Sequence, residues 1–317
     1  MQSRDATATP TPVTQLDIIG DVHGEADKLI MLLEALGYEE QNGVWQHPDR
    51  QAIFVGDLID KGPDPADVLT CVRNMVEHGA ARLVIGNHEL NWINDASQVV
   101  DDADAFLDAT RQHRDRRRLV HGFAQADNGV DALLKHFHWL RRQPLFIDEP
   151  ALRVVHASWD DASIQTLKRL RINCLDDFGM HHYRNRNCRD QNNRDVYAPG
   201  YLAIDRIVAG CEHTFPDPPL TGRYRSHRKR VSWWPDADDG QILPGELLPV
   251  PARQSGYASD QPPVFFGHYA LFGKPQLLAP NVASVDYGAT YDGPLVAYRH
   301  TLGAPLCHSR FVAVAHG

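Results

Sequence analysis

Three short apolar runs open the chain, and each ends on a glycine followed by polar residues. They are Leu16-Asp17-Ile18-Ile19 before Gly20-Asp21, Ala52 to Val55 before Gly56-Asp57, and Arg82 to Ile85 before Gly86-Asn87-His88-Glu89. Runs of this length with turn residues at their ends read as buried strands. Between the first two, Ala26, Leu29, Ile30 and Leu33 recur at helical spacing, and Gly37 is placed to stop that helix. A second helix opens with Asp64 as N-cap and Pro65 in its first turn. It buries Val68, Leu69, Val72 and Met75, and Gly79 closes it. The order is βαβαβ. Ligands of open α/β sheets gather at the carboxyl ends of the strands, so the three polar clusters are expected to meet in one crevice.

Helical patterns continue over 101–119 and 130–142. Further strands are expected at Leu145 to Ile147, at Leu152 to Val155 running into His156, and at Val264 to Phe266 running into Gly267-His268. Val282 to Val285 and Leu295 to Tyr298 complete the set. The segments 176–200 and 215–263 are polar or rich in Pro and Gly and read as loops. The expected organisation is a disordered tail over 1–14 and a single domain over 15–317. Its insertions are helical across about 95–142 and loop-rich in the two polar segments.

Composition narrows the class. Hydrophobic residues make up 43% and charged residues 23%, which excludes a disordered or collagen-like chain. No apolar run approaches the roughly 18 residues of a spanning helix, and the polar start has no signal-peptide core. A formal charge of −9, from 32 basic and 41 acidic residues, disfavours membranes and a stable nucleic-acid complex. Five cysteines with no CxxC pair read as reduced thiols of a cytoplasmic protein. Oligomeric state is left open.

The strand ends carry Asp21 and His23, Asp57, Asn87 and His88, then His156 and His268. Carboxylate, imidazole and amide donors suit a first-row divalent metal. So many potential ligands exceed what one catalytic metal with an open position uses. They suit two metals sharing a carboxylate, about 3.5–4 Å apart, which can activate water and clamp a phosphoryl group for in-line attack.

In sequence these motifs are Gly20-Asp21-Val22-His23-Gly24, Gly56-Asp57-Leu58-Ile59-Asp60-Lys61-Gly62-Pro63, Gly86-Asn87-His88-Glu89, Val155-His156-Ala157 and Gly267-His268. In this order they resemble the calcineurin-like metallophosphoesterases, in particular the Ser/Thr-phosphatase type and its bacterial relatives, to which diadenosine tetraphosphatases are related. The resemblance implies a four-layer α/β/β/α sandwich of two mixed sheets with helices outside. It also implies that Asp21 and His23 bind one metal, Asp57 bridges, and Asn87, His156 and His268 bind the other. His88 would be the general acid, oriented by Asp60. Lys61 stands where the family has Arg and would contact phosphate together with Asn87. Arg230 and Arg253 are further phosphate candidates. The implied cofactor is a pair of divalent ions, Mn²⁺ before Fe or Zn.

Asp60 and Glu89 favour a phosphomonoesterase of the protein-phosphatase type over the symmetrical tetraphosphatases, which tend to carry Ala and Asp there. The anionic substrate would then be a phosphoprotein or small phosphoester. The alternative is a dinucleoside polyphosphate or nucleotide hydrolase, and a remote one is a non-catalytic phosphate-binding protein. Bland roles are expected elsewhere. Asp17 reads as an edge or solvent residue, and His181-His182 as loop. The arginine runs at 111–118 and 223–230 read as solvated faces, Trp233 and Trp234 as core, and Asp286 as a residue that orients ligands.

Overall fold

The computed structural model describes residues 14–124, 129–178, 194–214, 228–234 and 256–315, with 178, 194–198, 212–214 and 228–229 described by backbone alone. The expected tail, His181-His182 and Arg253 lie outside these residues. Strands β1 (Gln15–Ile19), β4 (Arg50–Phe54) and β5 (Ala81–Leu83) run parallel, and β12 (Leu295–Thr301) and β13 (Phe311–Val314) add antiparallel neighbours. The sheet order is β13-β12-β1-β4-β5. A second mixed sheet has the order β11-β10-β7-β6, from β6 (Phe146–Glu149), β7 (Leu152–Val155), β10 (Val264–Phe266) and β11 (Val282–Ser284). Two hairpins stand apart, β2 (Glu39–Gln41) with β3 (Val44–Gln46), and β8 (Cys211–Thr214) with β9 (Arg228–Val231).

Alternation along the strands builds the layers. Leu16, Ile18, Ile53, Val55 and Val84 meet Ile147, Val154, Phe265 and Val285 in one buried cluster between the sheets. The intervening residues Ile19, Ala52, Phe54 and Leu83 share a second cluster with Leu29, Leu33, Val68, Val72 and Met75 of α1 (Ala26–Leu36) and α2 (Pro65–Glu77). On the other sheet Val155, Val264 and Phe266 share it with Ile164, Leu167, Ile204 and Ile207 of α7 (Asp161–Leu170) and α9 (Arg194–Ala209). The result is the expected α/β/β/α sandwich. Among the described residues no helix is long and apolar enough to cross a membrane.

Several elements depart from the sequence expectation. The helical pattern over 101–119 is broken into α4 (Ala103–Gln112) and α5 (Arg116–Ala124), because His113 leaves the helix with ψ of 126°. Helix α3 (Asn87–Ala96) starts directly on the third polar cluster. Asn87 and His88 therefore sit in a helical first turn, not a loop. Helix α9 begins inside the segment read as loop and contains Pro199, while β9 lies inside the second such segment.

Asp17 is neither an edge nor a solvent residue. It is fully buried on the central strand β1, and Arg50 grips it through Nε at 2.7 Å and Nη2 at 2.8 Å. Tyr38 donates to it at 3.2 Å, and Arg299, opposite on β12, lies 3.4 Å away. Removing one partner of a buried pair strands the other charge, a cost of about 3–5 kcal/mol. Arg299 offsets part of that, so Arg50→Met is expected to destabilise by about 3 kcal/mol, read from denaturant unfolding. A loss below 1 kcal/mol would refute the structural role of this network.

Candidate metal centre

The loops after the carboxyl ends of β1, β4, β5, β7 and β10 bring their polar residues together. His23, Asp57, Asp60, Lys61 and His268 all have positive φ, between 46° and 72°. Such conformations cost on the order of 1–3 kcal/mol each and cluster at functional sites. Two glycines permit the close approach of the loops. A Cβ on Gly86 would lie 2.2 Å from Asp57 Oδ1, and one on Gly267 would lie 1.9 Å from Asp21 Oδ1.

Asp57 is the hub. Its Oδ2 lies 3.4 Å from His23 Nε2 and its Oδ1 lies 3.4 Å from His156 Nε2, while the His88 backbone N–H donates to Oδ1 at 2.9 Å. Two groups of potential ligand atoms share it, one with His23 and His88 and one with His156 and His268. Asn87 Oδ1 lies 3.1 Å from His156 Nε2 and 2.8 Å from His268 Nδ1. Asp21 Oδ2 accepts the His268 backbone N–H at 3.0 Å and lies 4.0 Å from His23 Nε2, while its Oδ1 is buried without a partner.

The tautomers test whether this donor set fits a cation. His23 Nδ1 is bound to the Ile59 carbonyl at 3.0 Å and His156 Nδ1 to the Val55 carbonyl at 2.8 Å. A carbonyl only accepts, so both Nδ1 atoms carry protons and both Nε2 atoms turn inward. His156 Nε2 faces the Asn87 and Asp57 oxygens, and His23 Nε2 faces Asp57 and the Lys61 ammonium. Burial, aided by the Lys61 and His88 charges and opposed by Asp57, pushes the His23 pKa well below its usual value, so its ring does not supply a proton. Among the described residues Asp21 Oδ1 and His268 Nε2 are buried without a partner while carboxylate, imidazole and amide donors converge on Asp57, and this donor set fits a cation.

Charges are arranged in the same sense. Burial works against the Asp57 charge, yet the imidazoles of His156, His88 and His23 hold its carboxyl well below the usual range. Burial and the neighbouring Asp286 and Asp57 carboxylates push Asp21 well up. Burial and Arg230 push His268 well down. His88 is raised in spite of burial, by Asp57 and by the hydrogen bond from its Nδ1 to Asp60 Oδ2 at 2.7 Å. That bond leaves His88 Nε2 facing the cluster, 3.9 Å from Asp57 Oδ2.

Lys61 is no solvated loop residue. Its Nζ donates to His23 Nε2 at 2.7 Å. Arg230 Nη1 donates to the His268 carbonyl at 2.7 Å, which puts its guanidinium beside the second group. Trp233 and Trp234 are core: both are buried, and Trp233 Nε1 donates to the Ala157 carbonyl at 2.9 Å. Asp286 orients the His268 loop by accepting the Ala270 N–H at 2.6 Å and the Gly288 N–H at 2.9 Å.

The supporting roles of three residues escaped the sequence reading. The buried Glu89 carboxylate accepts backbone N–H groups of Gly86, Asp57, Leu58 and Ile59 at 2.8–3.2 Å, stapling the Asp57 loop to α3. Arg116 belongs to a run read as solvated but is 1% exposed, with Nε 3.6 Å from Asp60 Oδ1 and Nη1 2.8 Å from Asp95. Its spacing held the signal, since Arg116, Leu119, Val120 and Phe123 form the buried face of α5. Arg118, by contrast, reaches back to the Lys61 carbonyl at 2.6 Å, and no pattern marks it.

Two mixed sheets with their loops gathered on a carboxylate-centred imidazole cluster define a metallophosphoesterase class of fold. The chain belongs to the calcineurin-like phosphoesterases, whose family model matches residues 14–282. It is 51% identical over 75 residues, 23% of this chain and 30% of the other, to the asymmetrical bis(5'-nucleosyl)-tetraphosphatase of Halalkalibacterium halodurans. It is 25% identical over 297 residues to the symmetrical bis(5'-nucleosyl)-tetraphosphatase of Vibrio vulnificus, covering 89% of this chain and 93% of that one. The match to the first relative thus spans less than a third of that protein's length. Among solved structures, a cold-active protein-tyrosine phosphatase of a psychrophilic Shewanella shares the fold, with TM-score 0.50 at 15% identity over 92% of this chain and 81% of that one.

Proposed function

We propose that this protein is a dinuclear metal-dependent hydrolase of dinucleoside polyphosphates, working in the cytoplasm with Mn²⁺ as metal and Fe or Zn as the competing choices. The observation that carries the hydrolase reading is Asp57, whose two oxygens face two separate histidine groups. The substrate class is supported by the tetraphosphatase names of the relatives. It displaces the phosphomonoesterase that Asp60 and Glu89 favoured, which stays as the second reading because Asp60 is engaged with His88.

When bound, the two ions would lower the pKa of a water and screen the phosphoryl charge. Asp21, His23 and Asp57 are assigned to one ion, and Asp57, Asn87, His156 and His268 to the other. Their other contacts fix them: His23 and His156 through backbone carbonyls, Asp21 through the His268 N–H. Asp60 holds Nδ1 of His88, and His88 Nε2 gives its proton to the departing oxygen. With His23 engaged in holding a metal, the Lys61 ammonium that now donates to His23 Nε2 would be available to a phosphate oxygen. Asn87, beside His156 and His268, and Arg230, bonded to the His268 carbonyl, are the further phosphate contacts of this proposal, to which Arg253 belongs without a described position.

The deciding experiment is a substrate panel of diadenosine tetraphosphate, a phosphopeptide and an alkyl phosphate, run with Mn²⁺, Mg²⁺, Co²⁺ and Zn²⁺ in turn. Fastest turnover on the phosphopeptide would reverse the order of the two readings. Lys61→Arg is expected to change KM by about threefold or more with little change in kcat. An Arg fork grips phosphate bidentately where an ammonium is a point charge. An unchanged KM on every substrate would remove Lys61 from the phosphate site.

A further inference from the structure

Beside Lys61 the surface opens into a cavity of about 370 Å³, lined by Glu25, Lys61, Asp115, Arg118, Thr290 and Tyr291. That volume lies in the range of small-molecule sites. Lys61 joins it to the metal cluster, because the Nζ that is 2.7 Å from His23 Nε2 also stands 5.2 Å from the centroid of the Tyr291 ring. Tyr291 is 58% exposed, so core packing does not explain an aromatic side chain there.

The ring sits on a braced loop. The Tyr291 and Gly293 N–H groups donate to the Gly288 carbonyl at 2.8 and 3.1 Å. The buried Lys28 ammonium holds the Ala289 and Gly293 carbonyls from beneath. Arg118 is pinned on the wall by its bonds to the Lys61 and Gly62 carbonyls. Two cations, an exposed rigid aromatic ring and nearby carboxylates therefore line one cavity that opens off the candidate centre. An inorganic or alkyl phosphate uses only the cations of such a set. A nucleoside phosphate uses all of it, with phosphate on Lys61 and Arg118, base face on the ring, and amino or hydroxyl hydrogens toward Glu25 and Asp115. A second groove of about 360 Å³ shares Pro63 and Arg118 and continues past Arg117 and His121, which leaves room for a longer phosphate chain.

We infer that this cavity is the subsite for a nucleoside 5'-phosphate end of the substrate, with Tyr291 as the base platform and Arg118 as a phosphate contact. The inference builds on the dinucleoside polyphosphate reading, and its test is kept independent of turnover. Affinities for AMP and for ribose 5-phosphate are measured by calorimetry on the metal-loaded protein. The parent is expected to bind AMP about tenfold or more tighter than ribose 5-phosphate, the usual worth of one stacked base. Tyr291→Ala should erase that preference and Tyr291→Phe should keep it, both with unchanged thermal stability. Arg118→Gln should weaken both ligands. Equal affinity for AMP and ribose 5-phosphate in the parent, or an AMP preference that survives Tyr291→Ala, overturns the assignment. A parent that shows the preference yet does not cleave diadenosine tetraphosphate overturns the functional reading alone and leaves the subsite standing.

Discussion

Asp57→Asn is expected to lose metal and activity together. The side chain sends one oxygen toward His23 and the other toward His156 and is almost fully buried. The amide keeps the size of the group but replaces one anionic oxygen with an NH₂ donor, which turns a positive edge toward one of the two cation positions. Both positions lose charge, and one gains a repelling group. Electrostatic stabilisation by such ions is worth several kcal/mol, and each 1.4 kcal/mol is a factor of ten in rate. The expected loss in kcat/KM is therefore about 10³-fold or more. Bound metal, measured by elemental analysis, should fall from two equivalents to one or fewer. A variant that keeps two equivalents would show that Asp57 does not bridge.

His88→Asn separates protonation from metal binding. Its Nδ1 is held by Asp60, its Nε2 stands 3.9 Å from Asp57 Oδ2, and it is not among the residues assigned to either ion, so the variant should retain its metal. Loss of a general acid costs about 10²–10⁴ in kcat. The size should follow the leaving group. A nucleotide phosphate departs easily and needs the proton less than an alkoxide does. Diadenosine tetraphosphate is thus expected near 10² and an alkyl phosphate near 10⁴. The parent should also lose activity as pH rises through the His88 pKa, which is raised above the ordinary imidazole value, and the variant should lack that limb. Equal losses on both substrates would remove His88 from the acid role.

The parts legible in the chain were those governed by local period and local chemistry. Strands β7 and β10 were read to their exact ends, since an apolar run bounded by turn residues specifies both its conformation and its limits. Helix α1 ended at Gly37 as expected, in the left-handed conformation that glycine favours. The residues of the candidate centre were named because each follows a strand end. What the chain does not display is burial of charge. Asp17 alternates correctly for a strand, but a carboxylate at a core position reads as exposed unless Arg50 and Arg299 are known to close on it from two neighbouring strands. Arg116 was misread for the same reason, although its helical face gave it away.

The sequence by itself determined the α/β class, the βαβαβ opening, and the carboxylates and imidazoles that end up together, because period and motif are properties of neighbours along the chain. Only the tertiary structure decided how those groups face one another. It set the inward Nε2 atoms of His23 and His156, the clasp of Glu89 on four amides, the reach of Lys61 to His23, and the exposed Tyr291 ring beside it. These are contacts between residues tens to hundreds of positions apart. Their distances follow from the packing of two sheets and from backbone turns at positive φ, which no local pattern encodes.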